Sequence, residues 1–292
     1  MIEIILPAFV ISTILIGIHS YLGLHILKRS VIFVDLALAQ LAACGAIFGI
    51  LLGFQLHSLG SYITSFSFTL IGAFIFSFSR AKKIKEIPQE AIIGIVYVVS
   101  AALSVLLLDR MPKEAEHLKE MLVGNILFVS WPQIIKTALL YSFIGILHYI
   151  FREKFIMISF EPQKAEKSLN IRFWDFLFYV LFGMVVTSSV EVAGVFLVFN
   201  FLIIPAAMSI IFFSTIKQRV IFSWISGLLI MSAGIFLSVK LDTPTGATII
   251  CLFGFSLISS YFIKKFSDFL KFKNIFAKYQ KHIGQFYKNS QP

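Results

Sequence analysis

Nine stretches of this chain, at 4–27, 31–53, 62–79, 91–108, 133–151, 174–190, 192–213, 220–239 and 245–263, are almost wholly apolar and separated by short polar breaks. A membrane span needs about 20 such residues, because the hydrocarbon core is about 30 Å thick and a helix rises about 1.5 Å per residue. The third and fourth stretches are short, and the sixth and seventh nearly continuous. The pattern therefore predicts an all-α polytopic membrane protein with about 8–9 transmembrane helices.

The rest of the composition agrees. Hydrophobic residues make up 58% of the 292 and charged residues only 14%, with a mean hydropathy of +0.91, far from the balance of a soluble domain. A net charge of +10 in a soluble protein would suggest nucleic acid; between membrane spans it reports sidedness instead, so no nucleic-acid partner is expected. Cys44 and Cys251 both sit in apolar runs, which gives no support to a disulfide framework or a CxxC site. The N-terminal run lacks a basic leader and is about twice the length of a signal-peptide core, so it is expected to remain as a span. The polar stretches 80–90, 109–121, 152–174 and the tail from 264 are too short for a separate catalytic domain. The expected division is a transmembrane domain over 1–263 and a cytoplasmic tail over 264–292.

With nine spans and the N-terminus outside, the inward loops collect Lys28 and Arg29, then Arg80, Lys82, Lys83 and Lys85, then Arg152, Lys154, Lys164, Lys167 and Arg172, then Lys217 and Arg219. Together with the seven lysines of the tail these are most of the 25 basic residues, as the positive-inside rule requires. The loop 109–121 mixes both signs and fits the outside. The segment "MLVGNILFVSW", 121–131, is too short to cross and reads as a half-helix or interfacial piece. In the tail, Phe266, Phe269, Phe272, Phe276, Tyr279, Ile283 and Phe286 recur three or four apart with lysines between them. That spacing fits either a basic amphipathic helix on the inner leaflet or an extension of the last span.

An ionisable group inside the bilayer costs at least about 2.5–3.5 kcal/mol on insertion scales, so each faces a partner or a cavity. Asp35 and Gln40 lie in the second run, His19 in the first, Glu191 between the sixth and seventh, and Asn200 in the seventh. Five residues separate Asp35 from Gln40 by about 140° around a helix; the pair is not a ready-made chelate. Asp35 lies about 9 Å along the axis from Arg29, so a structural ion pair competes with a role in transport. Ala37, Ala39, Ala42, Ala43, Gly45, Ala46 and Gly49 allow close helix packing around these two polar residues and make the second span central. His19 and Asn200 read foremost as hydrogen-bonding links between helices, and Glu191 as a hydrated interfacial carboxylate or an entry gate. No nucleotide-binding glycine loop, HExxH or Ser-His-Asp arrangement is present in the sequence, so any ATP chemistry must come from a partner.

Several segments, in order, resemble the membrane permease subunit of bacterial ABC importers for zinc, manganese and iron, the ABC-3 family. They are "LGLHILKRSVIFVDLALAQLAACG" (22–45), "QEAIIGIVYVVSAALSVLLL" (89–108), "MLVGNILFVS" (121–130), "ISFEPQKA" (158–165), "VAGVFLVFNFLIIPAAMSIIFF" (192–213) and "LDTPTGATIICLFGFSLI" (241–258). The resemblance implies an importer fold related to the cobalamin and siderophore permeases, with no resident cofactor. It also implies a homodimer in the bacterial inner membrane, two copies of a separate ABC ATPase bound inside, and an extracytoplasmic metal-binding protein docking outside. Pro205, Lys217 and Arg219 then fall where the fold approaches the ATPase; the same residues are also explained by a helix kink and the positive-inside rule.

One motif departs from the family. Its usual second-span sequence is Gly-Asp-Ala-Leu-Ser-His-Ala, whose Asp and His face the pore. Without a gap, "FVDLALAQLA" sets Asp35 against the Gly, Leu36 against the Asp and Gln40 against the His. The carboxylate is displaced by one residue and the imidazole has become an amide, a donor set that suits harder ions than zinc. His19, Asp35, Gln40 and Glu191 are the candidate contacts for a transported divalent ion. A permease for a metal chelate or cobalamin-type cofactor, and an ion-coupled secondary transporter using Asp35, are the alternatives.

Overall fold

A computed structural model describes residues 2–55, 58–79, 87–110 and 126–289, and within them every regular element is helical. The helices are α1 (Ile2–Arg29), α2 (Val34–Leu51), α3 (Leu59–Ser79), α4 (Gln89–Asp109), α5 (Trp131–Ile150), α6 (Arg152–Phe160), α7 (Pro162–Ser168), α8 (Ile171–Ala193), α9 (Val195–Phe212), α10 (Ile216–Leu241) and α11 (Thr245–Asn289). Nine of these, all but α6 and α7, are long and apolar enough to cross a membrane. The prediction of an all-helical chain with about 8–9 spans is met at its upper value.

Local chemistry ends the helices where the apolar runs barely pause. Ser30 takes a left-handed conformation (φ 56°) after α1, and Val31 N–H donates to Ile26 O at 3.4 Å while Ser30 N–H donates to Leu27 O at 3.3 Å. This is a Schellman cap, closed by the apolar contact of buried Val31 and Ile26. Asp242 (φ 50°) does the same after α10, with Thr243 N–H on Ser238 O at 3.1 Å and Pro244 preventing continuation. Between α8 and α9 one residue, Gly194, breaks the chain at φ 76° and ψ 160°. Only glycine holds that conformation without strain, so the nearly continuous apolar stretch is resolved into two spans by a missing side chain. Helix starts are capped by side chains: Asn170 accepts from Phe173 N–H and Thr215 from Gln218 N–H.

The packing has two groups that meet along α2, α8 and α9. On one side α1, α9, α10 and α11 pack together; on the other α2 packs against α3 and α4, and α3 against α8. Glycines set the closest approaches. A Cβ on Gly23 of α1 would collide with the Leu202 carbonyl oxygen of α9, and one on Gly45 of α2 would lie 2.6 Å from Thr64 O of α3. Large apolar side chains such as Leu106, Leu139, Phe236 and Phe255 point outward, as expected where the surroundings are acyl chains.

The polar stretch 152–174 contains two short helices, α6 and α7, that periodicity did not predict, because runs this short and charged carry little amphipathic signal. Of the segment 121–131, only a 3-10 turn at Ile126–Phe128 and the start of α5 belong to the described residues; the remainder of the expected half-helix, like most of the loop 109–121 and the cluster Arg80, Lys82, Lys83 and Lys85, lies outside them. α11 runs without a break through the expected boundary at 263/264. Phe266 and Phe269 on it are exposed, while the apolar stripe from Phe272 onward lies outside the described side chains.

Candidate functional site

α2 occupies the centre because its side chains are small enough to let three neighbours reach its backbone. Ala37, Ala39, Ala42, Ala43, Gly45, Ala46 and Gly49 are all buried. Asp35 sits in its first turn, with 0% exposure, and neither carboxylate oxygen has a hydrogen-bond partner. Buried carboxylates are ordinarily paired or hydrogen-bonded. Asp35 therefore offers two hard oxygen acceptors, suited to a cation or a proton, in the interior of the bundle.

Arg29 does not satisfy it. The guanidinium binds Asp175 of α8 instead: Nη1 donates to Oδ1 at 3.0 Å, with side-chain exposures of 1% and 0%. Nε donates to Ser159 Oγ of α6 at 2.9 Å, and the guanidinium carbon lies 3.8 Å from the centre of the Phe178 ring. His25 Nδ1 is also 2.9 Å from Ser159 Oγ. This buried polar cluster ties α1, α6 and α8 together. The ion pair anticipated as one reading of Asp35 thus belongs to Asp175.

Gln40 faces a different helix. Its Nε2 donates to Ser104 Oγ of α4 at 3.3 Å, and Ser104 in turn donates to Ser100 O. His19 links two helices as its isolation in the first run suggests, with Nδ1 2.8 Å from Leu15 O and Nε2 3.1 Å from Ser189 Oγ of α8. Glu191 lies in the last turn of α8, partly exposed. Asn200, expected to join helices, donates instead through Nδ2 to Phe196 O at 2.7 Å in its own helix; an amide one turn above a carbonyl satisfies itself locally. Among the described residues no three His, Cys, Asp or Glu side chains come together as a metal site.

The junction of α9 and α10 is built around Pro205 and Arg219. Pro205 lies inside α9, and its carbonyl accepts from Ser223 Oγ of α10 at 3.0 Å. Arg219 Nε donates to Phe213 O, closing the carbonyl end of α9 at 2.9 Å. Lys217 projects from the first turn of α10 and is exposed. Pro205 and Arg219 thus stiffen one helical corner, while Lys217 does not contribute to it.

Asp175, His25 and His148 are absent from the polar residues singled out in the sequence. The signal that finds them is the same as for Asp35: each is an ionisable group inside an apolar helix.

A model of the ABC 3 transport family matches residues 1–264. The chain is 25% identical over 249 residues to the probable iron transport system membrane protein of Haemophilus influenzae, covering 85% of each. It is 26% identical over 246 residues to the manganese transport system membrane protein MntC of Listeria innocua, covering 82% of this chain and 84% of that one. Among solved structures, PsaBC from Streptococcus pneumoniae in complex with Fab superposes with a TM-score of 0.77 at 23% identity, over 92% of this chain and 95% of that one.

Proposed function

This chain belongs to the ABC 3 transport family, and from that membership we propose that it is the membrane-spanning permease subunit of an ATP-driven importer of divalent metal ions. Manganese and iron are the favoured cargo, since relatives are named for those two ions, and the two oxygen-bearing side chains of α2, Asp35 and Gln40, suit a hard ion better than they suit zinc. The observation that carries the reading is Asp35: a carboxylate fully buried in the central helix with neither oxygen engaged.

In this reading the chain works as a homodimer in a bacterial inner membrane. A separate ABC ATPase supplies the energy, and an extracytoplasmic binding protein supplies the ion. The N-terminus lies outside and the tail inside, because that orientation puts most basic residues on the cytoplasmic side. Pro205, Lys217 and Arg219 lie at the α9–α10 corner through which ATPase movement reaches the bundle, Pro205 and Arg219 holding it as a rigid unit. Residues 1–263 form the conducting domain. Asp35 gives a passing ion one transient ligand, and Gln40, His19 and Glu191 mark further points along the route. Few ligands suffice, since a conducting site must release what it binds.

The test is uptake of radiolabelled manganese into proteoliposomes. Uptake is expected only when the chain is co-reconstituted with its ATPase and ATP; uptake by the purified chain alone would overturn the proposal.

A further inference from the structure

We propose that the cleft between α1, α5 and α10 is a binding site for one phospholipid with an anionic headgroup. α5 and α10 both pack on α1 and leave between them a cavity of about 770 Å³, within the range of about 300–1,000 Å³ that encloses small ligands. Its walls are apolar, with Ile14 and Ile18 from α1, Ala138 and Gly145 from α5, and Ile221 from α10. A methyl group added at Gly145 would meet nothing within 4 Å. Trp224 lines the same cleft and is pinned by Nε1 donating to Gly17 O at 2.9 Å.

At one end the cleft becomes cationic. Arg152, at the start of α6, and Lys217, in the first turn of α10, both line it and both are exposed. Neither has a carboxylate partner among the described residues. Arg152 lies 4.7 Å over the Tyr149 ring, which holds the guanidinium by its face and leaves its N–H edges available.

A phospholipid satisfies both the charge and the apolar wall. Its phosphate accepts from the two cations, and an acyl chain covers the apolar wall. A helix from a second copy of the chain fits less well, because it would bury two positive side chains without a counter-charge. The lipid belongs to the leaflet on the side of Arg152 and Lys217.

The experiment uses the purified full-length chain in detergent, with native mass spectrometry after addition of dioleoylphosphatidylglycerol or dioleoylphosphatidylcholine. One retained phosphatidylglycerol per chain is expected, with a preference of about tenfold or more over phosphatidylcholine. The double variant Arg152→Gln, Lys217→Gln is expected to lose that preference while keeping its lipid-free melting temperature. Gly145→Leu is expected to reduce retention of both lipids. Undiminished preference in the double variant overturns the proposal. So does a disulfide-linked dimer formed through Gly145→Cys in a Cys251→Ser background, which would mean that a second copy covers the cleft.

Discussion

Arg29 Nη1 and Asp175 Oδ1 meet at 3.0 Å in a site with almost no solvent exposure, joining the last turn of α1 to the second turn of α8. Removing one member of such a pair leaves the other charge buried, at a cost of about 3–5 kcal/mol, whereas replacing both with apolar residues is often neutral or better. Arg29→Ala is expected to lower the melting temperature steeply or abolish folded protein. The double variant Arg29→Met, Asp175→Leu is expected to melt well above either single change to an apolar residue. Additive losses in the double-mutant cycle would mean that the pair is not coupled.

Gly194→Ala places a Cβ on a residue at φ 76°. Positive φ with ψ near 160° is essentially a glycine-only region and costs another residue about 1–3 kcal/mol, so the variant is expected to melt lower than the parent. Gly94→Ala, inside α4 where an added Cβ meets nothing within 4 Å, is the control and is expected to melt higher than the parent, by about 0.4–1 kcal/mol of stability.

Gly23→Ala tests the contact between α1 and α9, where the new methyl would run into the Leu202 carbonyl. Backbone cannot rotate away as a side chain can, so an overpacking cost of about 1–3 kcal/mol is expected. The measurement is thermal unfolding of the purified variant; an unchanged midpoint would show that the two helices separate without penalty.

Asp35→Asn removes a charge from a carboxylate that has no partner. No native hydrogen bond is lost, so the melting temperature is expected to hold or rise. Metal uptake by the complete transporter is expected to fall about tenfold or more, the effect of losing a contact worth about 1.4 kcal/mol. A variant with normal uptake would remove Asp35 from the conduction route.

Gln40→His puts a nitrogen ligand where the family's usual motif has one. Imidazole favours zinc relative to amide oxygen, so the expected outcome is stronger inhibition of manganese uptake by zinc in a competition assay. Ser104 keeps its own bond to Ser100 O, which limits the stability cost to about 0.5–1.5 kcal/mol. Unaltered competition would mean that residue 40 does not meet the ion.

Much of the architecture was legible in the linear chain, and the reasons differ from helix to helix. α4 was found within two residues at its start because "QEAIIGIVYVVSAALSVLLLD" is apolar for the full thickness of a bilayer. α2 was recognisable as central from its alanines and glycines alone. By contrast the residues of α6 and α7 read as one polar stretch, since nine and seven residues are too few to display a helical period. Gly194 as the break between α8 and α9 was invisible for a related reason: glycine is frequent in membrane helices, and only its φ distinguishes a hinge from a packing residue.

The sequence alone determined that the chain is helical and crosses a membrane about nine times, because hydrophobic length is a one-dimensional property and the bilayer leaves the backbone no alternative. It also determined which residues are out of place there. Only the tertiary structure decided how those residues are used. Arg29 lies six positions from Asp35 and 146 from Asp175, yet it pairs with the distant carboxylate. Helix rotation and packing, set by glycines such as Gly23 and Gly45, determine which side chains face each other, and that relation is three-dimensional. The same packing leaves Asp35 buried without a partner, the feature on which the function proposed for this chain rests.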